Sequence, residues 1–470
     1  MRIQERRRIC IRDAPQLGSA IISFLASKPL SFIPLRASGL NKTFVSLVVL
    51  VATAGAIVSC GGKSSASHAS GLTYRVFVSN PLFPSGGVET PVLNIVDAIH
   101  DVLSPSVVGL VGNSTQPGLM ALSPNLQFTA VFSQAGNTVT IVDIATEGIA
   151  SISGGSAVPS IDLPGFTESM FIANDNATAY AAVPTAAIVG QAPGAVVVMD
   201  IITGRITASV PVPAAHYVVG SPDGSTVLVF SDRSDSVTVI SPILIGTNEN
   251  PITAVVPGFD RPVWAVFNGA TAYIFNCGTE CGGTSASIST FVVGASGPGV
   301  TLPVKAATYG MLSGNDLYVV GTPPGTRCNL GSGTCGILTI VDTPSMAVSH
   351  APLLITDGYH NRMQISEDGQ LFIGARYCTN TNTTTGVPGC LSIYNTTSGN
   401  VVLPTTPGDV TGIQPIAGRT VVYVCQGGRF EIFDTTTDQI LVQTTPTEIV
   451  GQSFDVKLVD PPPSPISPTP

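Results

Sequence analysis

The stretch HYVVGSPDGSTVLVF, residues 216–230, decides the fold. Two short runs of β-branched and aromatic residues flank Ser221-Pro222-Asp223-Gly224, and Asp-Gly between such runs marks a tight turn joining antiparallel strands. A third run (236–240) and a fourth rich in Val, Ile and Pro (252–256) complete a unit of four predicted strands. One four-stranded sheet with apolar residues on both faces cannot bury itself, so the unit implies neighbours stacked on either side.

Those neighbours are legible on both sides. The second strand of the unit recurs as YRVFV (74–78), FTAVF (128–132), AYAAV (179–183), VLVF (227–230), AYIF (272–275), LYVV (317–320), LFIG (371–374) and VVYV (421–424). The third recurs in step, as LNIVD (93–97), VTIVD (139–143), VVVMD (196–200), VTVI (237–240), SISTF (287–291), LTIVD (338–342), LSIYN (391–395) and FEIFD (430–434). A near-constant period of about 48 residues with four strands each is the signature of a β-propeller, whereas an array of β-sandwiches would not keep it. The expected fold is therefore all-β: one propeller of eight four-stranded blades, or seven if one repeat is degenerate. The first repeat lacks its innermost strand and the last has one to spare, FDVKLV (454–459). Strands from the two ends are expected to share one blade and close the ring, which removes the free sheet edges.

Composition agrees. Only 10% of the 470 residues are charged, while 49 Gly, 37 Pro and abundant Val and Thr favour strands and turns over helix. A hydrophobic fraction of 44% supports a large core rather than disorder. Residues 1–59 carry eight Lys/Arg against two Asp/Glu, a surplus of six, so the remainder of the chain shifts from −9 to −15. So acidic a protein is unsuited to nucleic acid, which needs Lys and Arg to displace phosphate counterions, and to a polybasic membrane patch.

Residues 44–59 (FVSLVVLVATAGAIVS) form an apolar stretch preceded by Arg36 and Lys42 and followed by Cys60-Gly61-Gly62, the layout of a signal peptide. Ile57-Val58-Ser59-Cys60 resembles the bacterial lipoprotein signal. That resemblance implies a lipid on Cys60 as first residue of the mature chain, attachment to a membrane through it, and, with Gly61 rather than Asp next, sorting to the outer membrane of the cell envelope. A transmembrane anchor is the alternative, but 16 apolar residues fall short of the roughly 20 that span a bilayer. Residues 60–71 then read as the lipidated cysteine and a small, polar tether, 72–459 as the propeller and 460–470 (DPPPSPISPTP) as an exposed proline-rich tail, since proline has no N–H for a sheet. The first 39 or so residues read as an overlong start.

Six cysteines form close pairs, Cys277/Cys281, Cys328/Cys335 and Cys378/Cys390, each between the second and third strands of three consecutive repeats. In an oxidising compartment they are expected to be disulfides; no further His or Cys stands at ligand spacing for a metal. In a propeller, second-to-third and fourth-to-first connections emerge on one face, so the stapled loops would cluster there and make a candidate binding surface. Cys425 is expected to be a buried thiol.

His216 and His360 open innermost strands near the mouth of the central channel, and Arg261 and Arg362 fall at comparable positions. Together they are the candidate ligand-binding set, suited to an anion or carboxylate. No catalytic motif is present: the sialidase-type Ser-x-Asp-x-Gly-x-Thr-Trp turn, a Gly-x-Ser-x-Gly elbow, a His-Glu-x-x-His helix and a phosphate-cradling Gly-x-x-x-x-Gly-Lys-Ser loop are all missing. The acids closing third strands (Asp97, Asp143, Asp200, Asp342, Asp434) read as turn residues.

The phrases NTVTIVDIATEGIASI (137–152), VVVMDIITGRITASVPV (196–212), HYVVGSPDGSTVLVF (216–230) and FEIFDTTTDQILVQTT (430–445) resemble the YVTN-type β-propeller repeats of secreted bacterial and archaeal surface proteins, a likeness covering most of 72–459. Around 261–400 the chain departs from that pattern, with longer loops and the Asp-Gly turn expected to be missing or displaced. The shared residues are strand and turn positions, so the resemblance speaks for fold; the expected function is that of an extracytoplasmic module whose disulfide-stapled face binds a protein or glycan and needs no cofactor. A lactonase-like hydrolase or lyase with carboxylates converging on the channel mouth is the alternative.

Overall fold

The computed structural model describes residues 68–85, 88–110, 116–152, 155–325, 334–379, 389–441 and 447–462. Cys60 and Cys328 lie outside them, as does most of the tail. Within them Ser221–Gly224 closes a hairpin between the strands Ala215–Gly220 and Val227–Ser231. The Gly224 N–H donates to the Ser221 carbonyl at 2.9 Å with φ at 72°, a conformation that suits glycine, and the Asp223 carboxylate accepts from the Ser225 N–H. Strands Ser236–Ile240 and Ile252–Pro257 complete the antiparallel sheet.

Seven more sheets repeat this order, giving an eight-bladed propeller. In chain order from the N-terminus, blade 1 begins with Arg75–Ser85, blade 2 with Pro117–Leu122, blade 3 with Ser169–Ile172 and blade 4 with Ala215–Gly220. Blade 5 begins with Pro262–Asn268, blade 6 with Tyr309–Ser313, blade 7 with Tyr359–Ile365 and blade 8 with Val410–Pro415. In blades 2 and 6 the outer strand is split into two short pieces that both pair with the third strand. Among the described residues the only helical turns are the 3-10 segments Pro242–Leu244 and Gly278–Cys281, and no helix is long and apolar enough to cross a membrane.

The core is divided among the blade interfaces. In the second strand of blade 3, Ala179, Ala181 and Val183 pack toward blade 2 while Tyr180 and Ala182 pack toward blade 4. The two-residue period of a strand thus feeds two separate apolar layers, which is why these strands read as continuous hydrophobic runs. Each fully buried Val, Leu, Ile or Phe in such a layer contributes roughly 1.5–3 kcal/mol.

Ring closure is as expected. Val456–Leu458 supplies the innermost strand of blade 1, pairing antiparallel with Arg75–Ser85 through Val76↔Leu458 and Val78↔Val456. Behind it sits Arg75, fully buried: Nη2 meets Asp460 Oδ1 at 2.7 Å, Nε meets Asp460 Oδ2 at 2.8 Å and Nη1 meets Glu147 Oε1 at 2.6 Å. Asp460, read from sequence as the start of the tail, is instead buried as the partner of this guanidinium, because an unpaired buried cation would be costly. The end of the expected tether is likewise docked: the Ser70 N–H and hydroxyl both donate to the Glu147 carboxylate, and the His68 ring reaches the Ala145 carbonyl at 3.0 Å.

Blades 5 to 7 correct one expectation in part. Blade 7 does carry an Asp-Gly turn at the regular position, Ser366-Glu367-Asp368-Gly369, with the Gly369 N–H donating to the Ser366 carbonyl at 3.1 Å. Blades 5 and 6 replace it with two-residue hairpins in which Gly269 and Gly314 both take φ of 59°. The strand-end acids are turn residues: Asp97, Asp143, Asp200, Asp342 and Asp434 each accept a backbone N–H two or three residues ahead.

Candidate functional site: the channel mouth

Two stapled loops stand on one face. Cys277–Cys281 and Cys378–Cys390 are disulfides, each with Cα atoms 5.6 Å apart, and Cys335 is also disulfide-bonded. The first loop is tied down on both sides. Asp260 accepts from the Thr284 and Ser285 N–H groups, while Glu280 accepts from Thr322 N–H at 2.7 Å and Thr308 O–H at 2.9 Å in the next blade. Burial pushes the Glu280 carboxyl up to about 7, against the opposing effect of those two donors. Cys425 is free and fully buried between blades 8 and 1, and burial raises its thiol pKa strongly.

Beside these loops the channel opens in a pocket of about 700 Å³. His216, at the start of its innermost strand, stacks on Tyr217 with ring centroids 4.4 Å apart and lies between two carboxylates, Asp232 at 2.7 Å and Glu168 at 3.3 Å. Burial disfavours its charge, yet the hydrogen bonds to Asp232 and Glu168 outweigh burial and raise its pKa to about 9. Glu168 is held down to about 2, chiefly by its hydrogen bond with His216 and, against burial, by Arg376 at 3.0 Å. Arg376 lies over the Tyr377 ring, next to the stapled Cys378, with 5.1 Å from guanidinium carbon to centroid. Arg261 bonds the Arg233 carbonyl and faces Asp235 at 3.5 Å.

Below the mouth a narrower cavity of about 330 Å³ runs between innermost strands, sharing Glu168, Tyr217, Val263 and Tyr359 with the pocket above. The Tyr217 and Tyr359 hydroxyls are hydrogen-bonded across it. Trp264 and Tyr309 line it with centroids 5.1 Å apart.

The four residues expected to bind ligand divide between these levels. His216 and Arg261 line the mouth; His360 and Arg362 line the cavity beneath. His360 supplies no charge: its ring is buried, Nε2 donates to the Thr356 carbonyl at 3.1 Å and burial lowers its pKa to about 4. Glu168, Asp232 and Arg376 were not among the expected residues. They sit at the blade ends that produced His216 and Arg261, so superposing all eight repeats for ionisable residues at those ends would have found them.

These features define a β-propeller with a charged channel mouth on its disulfide-stapled face. No family model and no curated protein matches the chain. Among solved structures it is similar to dihydro-heme d1 dehydrogenase NirN in complex with DHE, at TM-score 0.56 and 11% identity over 83% of this chain and 75% of that one. It is also similar to hydrazine synthase of Kuenenia stuttgartiensis (TM-score 0.50, 15% identity, 72% and 98%) and to the Dos1 propeller (TM-score 0.50, 12%, 73% and 86%). At such identities the likeness is one of fold alone.

Proposed function

We propose that the protein is a lipid-anchored, extracytoplasmic propeller of the YVTN type that binds a protein or glycan at the channel mouth, with Cys60 holding it to the outer membrane. The observation that carries this reading is the mouth itself. Charged side chains from blades 3, 4, 5 and 7 converge there beside Cys281 and Tyr377, so the stapled loops and the charges form one surface. Tyr377 is 70% exposed and backed by Arg376, the kind of aromatic and arginine pair that anchors partners. A lactonase-like hydrolase would call for three or more converging carboxylates. The mouth is lined by two, Glu168 and Asp232, both within hydrogen-bond distance of His216.

Site-specific photo-cross-linking in intact cells tests the reading. A probe at Tyr377 is expected to capture a partner or glycan that a probe at Ile243, 83% exposed in a third-to-fourth-strand connection on the opposite face, does not. Equal capture at both sites, or none, overturns it. For the anchor, Cys60→Ala is expected to abolish fatty-acid labelling and release the protein from the membrane fraction; retention on the membrane would refute it.

A further inference from the structure

Among the described residues Arg362 is the only arginine that lines the cavity beneath the mouth. Its Nε donates to the Thr411 carbonyl at 3.0 Å and its Nη1 to the Asn361 carbonyl at 2.8 Å. Backbone carbonyls orient a guanidinium without neutralising it, and among the described residues no carboxylate lies within ion-pair distance of Arg362. The mouth's other charges are largely matched: His216 lies between Asp232 and Glu168, Arg376 meets Glu168 at 3.0 Å and Arg261 faces Asp235 at 3.5 Å. The lower cavity is lined by one arginine, Arg362, and one carboxylate, Glu168, already engaged by His216 and Arg376, so the Arg362 guanidinium is the charge left there to attract an anion.

Beyond Arg362 and Glu168 the cavity is lined largely by aromatic and aliphatic side chains. Phe171, Tyr217, Trp264, Tyr309 and Tyr359, from five successive blades, enclose about 330 Å³, with the Tyr217 and Trp264 rings edge to face at 5.9 Å. That is space for one or two rings, at the lower end of ligand-pocket sizes. Asn361, only 6% exposed, lines the same cavity, and its Oδ1 has no hydrogen-bond partner. A buried amide oxygen left so has lost its water without replacement, and an occupant carrying a donor would restore the missing hydrogen bond.

We propose that the channel beneath the mouth is a binding site for a small carboxylate borne on a flat apolar ring, with Arg362 meeting the carboxylate, Trp264, Tyr309 and Tyr359 enclosing the ring, and Asn361 Oδ1 accepting from a ring hydroxyl or amine. The inference deepens the binding reading above and rests on it only in taking the mouth as the entrance.

Trp264 is the only tryptophan in the chain, so its fluorescence reports this cavity directly. The mature protein is titrated with 4-hydroxybenzoate, the neutral 4-hydroxybenzamide, acetate and glucuronate, following Trp264 emission and heat of binding. The expected result is saturable binding of 4-hydroxybenzoate with a change in Trp264 emission, the amide and acetate being at least about tenfold weaker, as befits a charge-assisted contact. Arg362→Gln is expected to erase the preference for acid over amide and Arg362→Lys to keep part of it. Amide bound as tightly as acid, glucuronate preferred over the aromatic acid, no saturable binding at all, or an Arg362→Gln variant that retains the preference would each overturn the proposal. Should Arg362→Gln fail to fold, the acid-to-amide ratio of the unmodified protein decides alone. Failure here with capture still occurring at Tyr377 would leave the mouth reading standing, whereas loss of capture with 4-hydroxybenzoate still bound would do the reverse.

Discussion

At the scale of single residues, the Glu168–His216–Asp232 cluster ties the mouth to pH in a direction that can be worked out. Glu168 is held at about 2, below an ordinary 4.5, so its contribution to stability is complete above pH 4.5 and is lost as pH falls toward 2. His216 is held at about 9, above an ordinary 6.5, so its contribution is complete below pH 6.5 and is lost as pH rises toward 9. The contribution of this pair to thermal stability, read as the difference from a His216→Gln variant at each pH, is therefore expected to be level between pH 4.5 and 6.5. Over that range His216→Gln should lower stability by about 1–2 kcal/mol, the groups being partly solvated, and remove the decline between 6.5 and 9. A variant that keeps the alkaline decline would show that another group causes it. His216 was legible in the sequence because it opens a regular repeat. Its partner Glu168 was not, since the two belong to neighbouring blades and adjacency in the ring is invisible in a line of residues. His360 shows the converse: its position was legible, but its charge depended on burial that only the packed blades reveal.

At the scale of elements, the stapled loop of blade 5 joins two devices that can be separated. Closing so short a loop restrains the unfolded chain by about 2 kcal/mol, and replacing Cys277 and Cys281 together with Ala should lower the melting temperature by only about 2 °C in a ring this large. The larger effect is expected in loop shape, read as faster amide exchange across 277–285. Glu280, in the same loop, is raised from 4.5 to about 7, so the folded state holds its proton more tightly than the unfolded one. Stability should accordingly fall as pH rises from 4.5 through 7, with the cost fully present above 7. Glu280→Gln keeps an oxygen for the Thr322 and Thr308 donors and carries no charge, so it should stabilise by on the order of 2 kcal/mol at pH 8 and leave pH 4.5 unchanged. Equal gains at both pH values would mean that packing, not ionisation, is responsible. Strands of this loop region were legible, because Thr271–Asn276 and Ser287–Val292 keep the period, and so was the pairing of cysteines four and twelve residues apart. The hairpin chemistry was less so: Gly269-Ala270 and Gly314-Asn315 make the same connection in two residues, and a search for Asp-Gly alone passes over them.

At the scale of the whole molecule, eight blades stack only on neighbours, so stability depends on whether the last interface holds. That interface is sealed by strand Val456–Leu458 and by the buried contact of Asp460 with Arg75, which also reaches Glu147 in the blade beyond. One guanidinium thus ties the C-terminal strand, the second strand of its own blade and the turn of the next. Removing one partner of a buried pair costs about 3–5 kcal/mol, because the remaining charge stays out of water. Asp460→Ala is therefore expected to weaken the protein by that order in urea unfolding, and Asp460→Asn by less, since it keeps one acceptor for Arg75. The shape of the transition matters as much as its midpoint. If the clasp holds a cooperative ring, Asp460→Ala should move a single transition to lower urea with unchanged slope. A chain ending before Phe454 should go further, leaving the inner edge of Arg75–Ser85 unpaired and prone to edge-to-edge association, seen as oligomers by light scattering. Two separated transitions in Asp460→Ala would instead mean that blade 1 opens alone while the other seven persist, and that the termini decorate the ring rather than hold it.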